Sequence, residues 1–563
     1  MDKTWHSTVE NSLCISDASE IDWTDTADII VIGLGAAGVS CALQALELGK
    51  SVMALDRFDG GGATVASGGV IYAGGGTTLQ KEAGIEDSPE NMFNYLKMEV
   101  GTIVSDGTLR DFCETSAPTI DWMVGHGVDF RADYFPHKTS YPAPQYFLYH
   151  SDNSLLDHYK ANAAPAARGH RGYVPIEQGR KATNLGGALF NPLRDKAVSM
   201  GLKIQTYSEA RQLIQDKNSR VIGVKVLQFS DEKKQSEYLR LRQRAQRIMA
   251  FYPPILPGFS YFMRKALKVF AQATALESER TPKYILANEA VVLSAGGFVF
   301  NRKMLKTYAP KYLRSFPLGT DGDNGAGIRL GQSAGGAIGN MDRVTAWRFI
   351  NPPLSFARGM IVNMDGKRFI NEMVYGATLG VEMAENHDGK AWLILDKTLI
   401  KQALRDVSGK KALAFQKALA QLNVYFGSKK ANSLDDLADK IGVDAAGLKE
   451  SLTAYNEAAE NQTTDAFGKS PQDISALKAP FYAINIGLNA KLLPCPALTL
   501  GGLRVEEVSG QVMTEDGQSV PGLYAAGRNA IGVASWNYVS GLSIADGVYS
   551  GRRAARAIAK ANP

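Results

Sequence analysis

The sequence predicts an α/β fold built on parallel strands, with a smaller α+β domain inserted late in the chain. Three observations predict it. A strand, a glycine turn, a helix and a second strand follow one another between Asp28 and Asp56. The 56 glycines cluster at 60–76, 319–336 and 501–551, between strand-like and helix-like stretches, where backbone must approach something closely or turn through positive φ. Between the last two clusters, Ala412–Leu422, Leu434–Leu437 and Ala446–Ala459 read as helices. With 563 residues, 45% hydrophobic and 21% charged, the chain has the composition of a soluble protein of two or more domains and can bury a large core without disulfides.

The first element is the strand Asp28–Ile32, an apolar run suited to a buried parallel position. Gly33-Leu34-Gly35-Ala36-Ala37-Gly38 follows, then a helix from Val39 to Leu48 ended by Gly49. Ser51–Leu55 is the second strand, and Asp56 closes it eighteen residues after Gly38, with Arg57 next. This is G-x-G-x-x-G in a full βαβ context, the fingerprint of a Rossmann-like dinucleotide site. Gly33 permits the tight turn, Gly35 lets a pyrophosphate touch main chain, and Gly38 lets helix and strand close up. The helix start, with Ala36 and Ala37, offers N–H groups to the phosphates. Asp56 can accept from a ribose diol. The competing reading is a glycine-rich turn without a ligand.

Later elements choose the dinucleotide. Gly60–Thr64, with Gly62, Ala63 and Thr64, and then Ser67-Gly68-Gly69, form a second glycine strip. Val291–Phe298, containing Ala295, Gly296 and Gly297, runs from strand into turn, and Gly522–Gly527 does so again before Arg528. Binding elements at both ends of the chain suit FAD, which is long and extended, better than NAD.

These residues resemble those of the flavoprotein family that includes fumarate reductases, succinate dehydrogenases and 3-ketosteroid dehydrogenases. The motifs Gly33–Gly38, Gly60–Gly69, Gly296–Gly297, Gly322–Gly327, Gly366–Glu372, Thr499–Gly502 and Gly522–Gly527 run in family order across 27–558. The resemblance implies a Rossmann-like (GR2-type) FAD domain over 27–330 and 486–563, with a polar extension at 1–26. It also implies a capping catalytic domain at 331–485 and an active site between the two. Asn301, Gly541, Leu542 and Ser543 are expected to join the FAD contacts, and Glu372 to lie near the flavin.

Dicarboxylate enzymes of this family carry H-T-x-G-G and an N-R-L-G-G-N-like stretch. Here those positions hold Leu498 and Tyr538, in Leu498–Gly502 and Asn537–Leu542. A site that trades its cations for leucine and tyrosine is poorly equipped to grip two carboxylates. Gly61–Thr64, Ser67–Tyr72, Gly74–Thr77, Ser88–Met92, Ala167–His170 and the Tyr538–Ser543 tail are most similar to the 3-ketosteroid Δ4-(5α)-dehydrogenases. The resemblance implies oxidation of a 3-keto-5α-steroid, with a proton lost next to the ketone and a hydride passed to flavin N5. Tyr538 and Ser540 are expected to form the proton relay with Tyr375 as partner, and Tyr538 and the Gly541 main chain to hold the carbonyl. An enone reductase running the site in reverse and a Δ1-dehydrogenase are the alternatives. Most tyrosines are simply packed, and His170, Arg168 and Arg552 read as structural or cofactor-adjacent.

Four cysteines without a C-x-x-C pair argue against a metal centre or disulfide framework. The first 27 residues are polar and acidic, unlike a signal peptide, and no run of about 18 apolar residues suits a membrane span. The expected location is cytoplasmic, with an external electron acceptor such as a quinone, no nucleic-acid partner and the oligomeric state open. A departure from the family lies at about 231–283. Within 231–268 stand nine basic and three acidic residues around an aromatic, proline-broken centre at 248–263. That pattern suits peripheral docking on the inner face of an anionic membrane through about 231–270. A hairpin packed on the protein's own surface, or an oligomer contact, suits it as well.

Overall fold

The computed structural model describes residues 8–181, 184–251 and 259–561. Asp25–Ile32 lies at the centre of a nine-stranded sheet, parallel to Val52–Leu55 on one side and to Thr281–Leu293 on the other. Lys203–Gln205 continues the parallel set beyond Val52–Leu55. Ile29, Ile30 and Val31 are fully buried, as a strand covered on both faces requires.

Thr281–Leu293 is long enough to serve two partners. Its first half pairs antiparallel with Val221–Gln228, and its last residues pair parallel with Ser519–Ala525 near the C-terminus. The two chain ends are thereby brought to one sheet edge, where the strand ends Ile32, Leu293 and Ala525 align. Leu13–Cys14, from the stretch expected to be a polar extension, adds an outer strand beside Glu209–Gln215.

The helix Ala36–Glu47 packs on the C-terminal helix Leu542–Ala561. A side chain on Gly551 would run into the Ala37 carbonyl, so the glycine sets the approach. The inserted domain has its own four-stranded sheet, ordered Met360–Val362, Trp392–Asp396, Phe481–Asn485 and Ser428–Ala431. The expected helices form as Ala414–Leu422, Leu434–Ile441 and Ala445–Glu460. A small sheet of Phe316–Pro317, Pro496–Thr499 and Val344–Ala346 joins the two domains.

The departure at 231–283 is a hairpin of two helices, Glu232–Phe251 and Phe259–Leu276, packed together through Tyr238, Leu241, Ala245, Val269 and Ala273. Its root is tied to the sheet. Arg242 lies over the Phe58 ring at 4.1 Å and pairs with Asp321 at 2.6 Å. The Tyr238 hydroxyl donates to Glu277 at 2.9 Å. The proline-broken tip, 252–258, lies outside the described residues. Among the described residues no helix is long and apolar enough to cross a membrane.

Candidate active site

The strand ends open onto one cavity of about 1360 Å³. At its first end Gly33 sits at φ +96°, and a side chain there would meet the Ala295 Cα at 2.6 Å. Gly35 begins the Ala36–Glu47 helix with extended backbone and has no side chain of its own to cap it. The partial positive charge of that helix start therefore faces the cavity. Thr64 steadies the turn by accepting from Ala36 N at 2.9 Å. Asp56 accepts from Leu34 N at 2.9 Å and Phe58 N at 2.8 Å. Burial pushes its carboxyl above the usual range, and those two N–H groups oppose the shift.

Further along, Arg528 donates to Asp323 at 2.6 Å. Asp323 also accepts from Gly297 N at 3.2 Å and Thr320 N at 3.1 Å. The Arg528 Nη1 is buried and has no partner among the described residues. The guanidinium thus keeps donor capacity that the protein leaves unused, in a residue that lines the cavity.

The other end is a group of hydroxyls in an aromatic wall. Tyr538 stacks on Trp347 with centroids 5.0 Å apart and joins Tyr375, Leu498 and Leu500 in one buried cluster. Burial pushes the Tyr538 phenol up to about 12, while the backbone N–H groups of Gly541 and Ser543 and the charge of Arg528 work the other way. Ser540 Oγ lies 3.3 Å from the Tyr149 hydroxyl. The Ser540 backbone is clamped, its N–H donating to Ser151 O at 3.1 Å and its carbonyl accepting from Ser151 Oγ at 3.2 Å. Gly541, at φ +86°, accepts from Tyr72 N at 3.1 Å, and a side chain on it would strike that same strand. Tyr375 is 1% exposed, and its hydroxyl has no hydrogen-bond partner among the described residues. Burial, then its neighbours Tyr538 and Tyr149, hold its pKa well above the usual phenol value, with Ser540 opposing.

Most of the residues expected to hold a cofactor line this cavity: Gly33, Gly35, Ala36, Ala37, Asp56, Arg57, Gly62, Ala63, Thr64, Ser67, Gly68, Ala295, Gly296, Gly527, Arg528, Gly541 and Ser543, with Tyr538 and Ser540 beyond them. Gly38, Gly69, Gly297, Asn301, Leu542 and Tyr375 are not on its wall. Gly38 gives the helix its close approach to the Gly33 carbonyl, and a side chain on Gly69 would meet the Leu185 carbonyl at 2.7 Å. Asn301 caps the helix Arg302–Tyr308 by accepting from Met304 N at 3.1 Å. Glu372 is likewise away from this wall, paired with Lys469 at 2.9 Å and Arg368 at 2.8 Å inside the capping domain. His170 is buried against Thr77 Oγ1 at 3.0 Å, Arg168 is paired with Asp87, and Arg552 donates to Gln44 and Thr119.

A family profile described as FAD binding domain matches residues 28–251 and 264–544. The chain is 34% identical over 521 residues, 92% of its length and 95% of the relative's, to 3-oxo-5-alpha-steroid 4-dehydrogenase of Comamonas testosteroni. The chain belongs to this family of FAD-binding flavoproteins. Its structure is similar to the crystal structure of 3-ketosteroid-delta4-(5alpha)-dehydrogenase from Rhodococcus jostii RHA1 in complex with 4-androstene-3,17-dione. The TM-score is 0.80 at 26% identity, covering 98% of this chain and 100% of that one. A flavocytochrome c3 fumarate reductase shares the fold, with a TM-score of 0.60 at 20% identity over 96% of this chain and 80% of that one.

The cofactor is FAD, and the wall suits this family's ligand. The volume exceeds the roughly 300–1,000 Å³ of a pocket for one small ligand, as an extended dinucleotide with a substrate beside it requires. Gly35, Ala36 and Ala37 would take the pyrophosphate, Asp56 the adenosine ribose, and the free arm of Arg528 an acceptor further along. The charged wall residues, Asp56, Arg57, Glu209, Arg302, Asp323 and Arg528, all come from the FAD-domain segments. The capping side, with Trp347, Phe349, Ile350, Pro352, Leu413 and Leu419, contributes no charge. Sequence reasoning missed Tyr149, Trp347 and Asp323. Tyr149 and Trp347 stand in no glycine motif; Tyr149 ends the two-residue strand Leu148–Tyr149 and Trp347 follows the strand Val344–Ala346, so no periodicity marked either.

Proposed function

We propose that this flavoenzyme is a 3-ketosteroid dehydrogenase that introduces the Δ4 double bond into 3-keto-5α-steroids. The observation that carries this reading is the uncharged, aromatic substrate end of the cavity, where Tyr538 and Ser540 stand beside neutral polar groups such as Tyr141 and Asn351, and Leu498 stands among apolar neighbours. An apolar substrate with one ketone fits such a wall, and a dicarboxylate does not. The names of the Comamonas and Rhodococcus relatives point the same way.

Bound FAD supplies the acceptor for the hydride. The chain's own part is to bind the ketone, favour the enolate and carry off the proton. Tyr538, protonated at neutral pH because its pKa is about 12, donates to the keto oxygen and stabilises the charge that develops there. Tyr375, buried behind the wall, packs in the same cluster and supports it. Ser540, 3.3 Å from Tyr149, takes the proton from the carbon next to the ketone as it passes its own to Tyr149, whose hydroxyl proton in turn goes to water. An external acceptor, a quinone or a similar compound, takes the electrons away. In an anaerobic mixture with a saturated 3-keto-5α-steroid the yellow flavin absorbance bleaches and the product is the 4-ene-3-one. Bleaching by succinate, with none by any 3-ketosteroid, would overturn the reading.

The enzyme's peripheral contact with an anionic membrane through about 231–270 belongs to the same proposal. Arg240, Arg244, Arg247, Arg264, Lys265 and Lys268 are exposed on the hairpin, and this supports it. Replacing the first three with glutamine is expected to weaken co-sedimentation with anionic vesicles, and unchanged sedimentation would remove the hairpin from the reading.

A further inference from the structure

The cavity reaches the surface beside the helix Ala414–Leu422 of the capping domain. Leu413, Phe415, Gln416 and Leu419 line it, and Phe415 is at the same time 40% exposed, which puts that ring at the mouth. The helix ends in a wide turn, Asn423–Gly427, that leads into the edge strand Ser428–Ala431. Asn423 fastens the turn inward, donating to Leu419 O at 2.9 Å and Leu492 O at 3.1 Å. With Asn423 and Val424 buried, the next two residues are turned out: Tyr425 is 64% exposed and Phe426 78%. Adjacent large aromatics held in water, beginning two residues after the wall residue Asn423, mark a contact surface.

Charge says what the surface meets. Lys410, Lys411, Lys417, Lys429 and Lys430 stand on either side of these wall residues in the sequence, all exposed, and no aspartate or glutamate occurs between Asp406 and Asp435. Exposed lysines on either side of protruding aromatics, within one short acid-free segment, match an anionic lipid surface, with ammonium groups at the headgroups and rings at the boundary of the acyl layer.

We propose that residues 410–430 seat the cavity mouth on an anionic bilayer, so that an apolar substrate enters from lipid past Phe415 without crossing water. The delivery part rests on the steroid reading above; the binding part does not. The surface is distinct from the basic hairpin at 231–283 and carries none of the residues assigned to catalysis.

The test uses the FAD-loaded enzyme and two variants, Lys410→Gln/Lys411→Gln/Lys417→Gln and Tyr425→Ser/Phe426→Ser. Binding is read by co-sedimentation with vesicles of phosphatidylcholine alone or mixed with phosphatidylglycerol. The enzyme is expected to bind the anionic vesicles, with affinity falling about fivefold for each lysine removed. The aromatic variant is expected to lose affinity as well. Steroid turnover is then compared with substrate dissolved in vesicles or in cyclodextrin. Both variants should lose kcat/KM for vesicle-borne steroid and keep it for cyclodextrin-borne steroid. The proposal is overturned if the enzyme ignores anionic vesicles or if both variants match it on them. It is also overturned if sedimentation velocity without lipid reveals a dimer that the variants abolish, which would give the surface to a second copy. Failure of cyclodextrin-borne steroid to bleach any of the proteins would instead strike the steroid reading, with the vesicle arm still deciding the docking.

Discussion

In the proposed reaction Tyr538 and Ser540 do different work although they are two residues apart. The ring of Tyr538 is fixed by its stack on Trp347, so Tyr538→Phe removes a donor and leaves the packing. Loss of one such donor costs about 10²–10³-fold in rate. The variant should keep its FAD absorbance and bleach more slowly by that factor in an anaerobic stopped-flow run with steroid. Bleaching at the unaltered rate would take Tyr538 out of the carbonyl site. Ser540→Ala breaks the contact with Tyr149 and should slow proton removal by about 10²–10⁴-fold, the usual contribution of a positioned proton carrier. The pH dependence follows from the direction of the shifts. Burial raises Tyr538 to about 12 and Tyr375 further, so both phenols remain donors throughout the neutral and mildly alkaline range. A proton relay, by contrast, empties more easily as pH rises. The bleaching rate should therefore climb through that range, and a fall there would contradict the donor assignment.

At the scale of elements, the inserted domain is pinned by a buried ion cluster. Glu372 accepts from Ile361 N at 2.9 Å on the Met360–Val362 strand and pairs with Arg368 and Lys469, whose Nζ also donates to the Gly359 carbonyl at 2.9 Å. Burial alone would raise the Glu372 carboxyl; the two cations outweigh it and hold the group at about 2. Because the folded value is depressed, its contribution to stability is present above the ordinary carboxylate pKa and is lost as pH falls from there through about 2. Glu372→Gln leaves two buried cations underpaired and should cost about 3–5 kcal/mol in denaturant unfolding near neutral pH. A melt indistinguishable from the unaltered protein's would show the cluster to be idle.

The same elements show what the sequence could and could not convey. The strand Asp28–Ile32, the turn at Gly33 and the helix after it were legible because each glycine answers a local steric demand. The capping helices were legible from their periodicity. Glu372 was expected at the flavin because its motif, Gly366–Glu372, travels with the FAD motifs in order along the chain. Order along a chain does not give position, and Lys469, nearly a hundred residues on, decides where Glu372 sits. Trp347 and Tyr149 escaped for the same reason. Each is made functional by a partner far away in sequence, Tyr538 in one case and Ser540 in the other.

In the whole molecule, one cavity is walled by both chain ends and by the inserted domain, so cofactor binding and the integrity of the junction are coupled. The strand ends at Ile32, Leu293 and Ala525 are held by hydrogen bonds within the sheet. The segments that follow them, 33–38, 294–299 and 526–543, supply much of the cavity wall. FAD binds the folded wall and not the unfolded chain, so it stabilises by mass action, about 4 kcal/mol at a free concentration a thousandfold above its Kd. That stabilisation should be local before it is global. On removal of FAD, amide hydrogen exchange should accelerate in 33–38, 294–299 and 526–543. The sheet formed by Met360–Val362, Trp392–Asp396 and Phe481–Asn485 shares a continuous core with the FAD domain but puts no residue on the cavity wall, and it should exchange as before. Equal acceleration in both places would mean that the inserted domain depends on the cofactor for its fold, and the two domains would have to be treated as one cooperative unit.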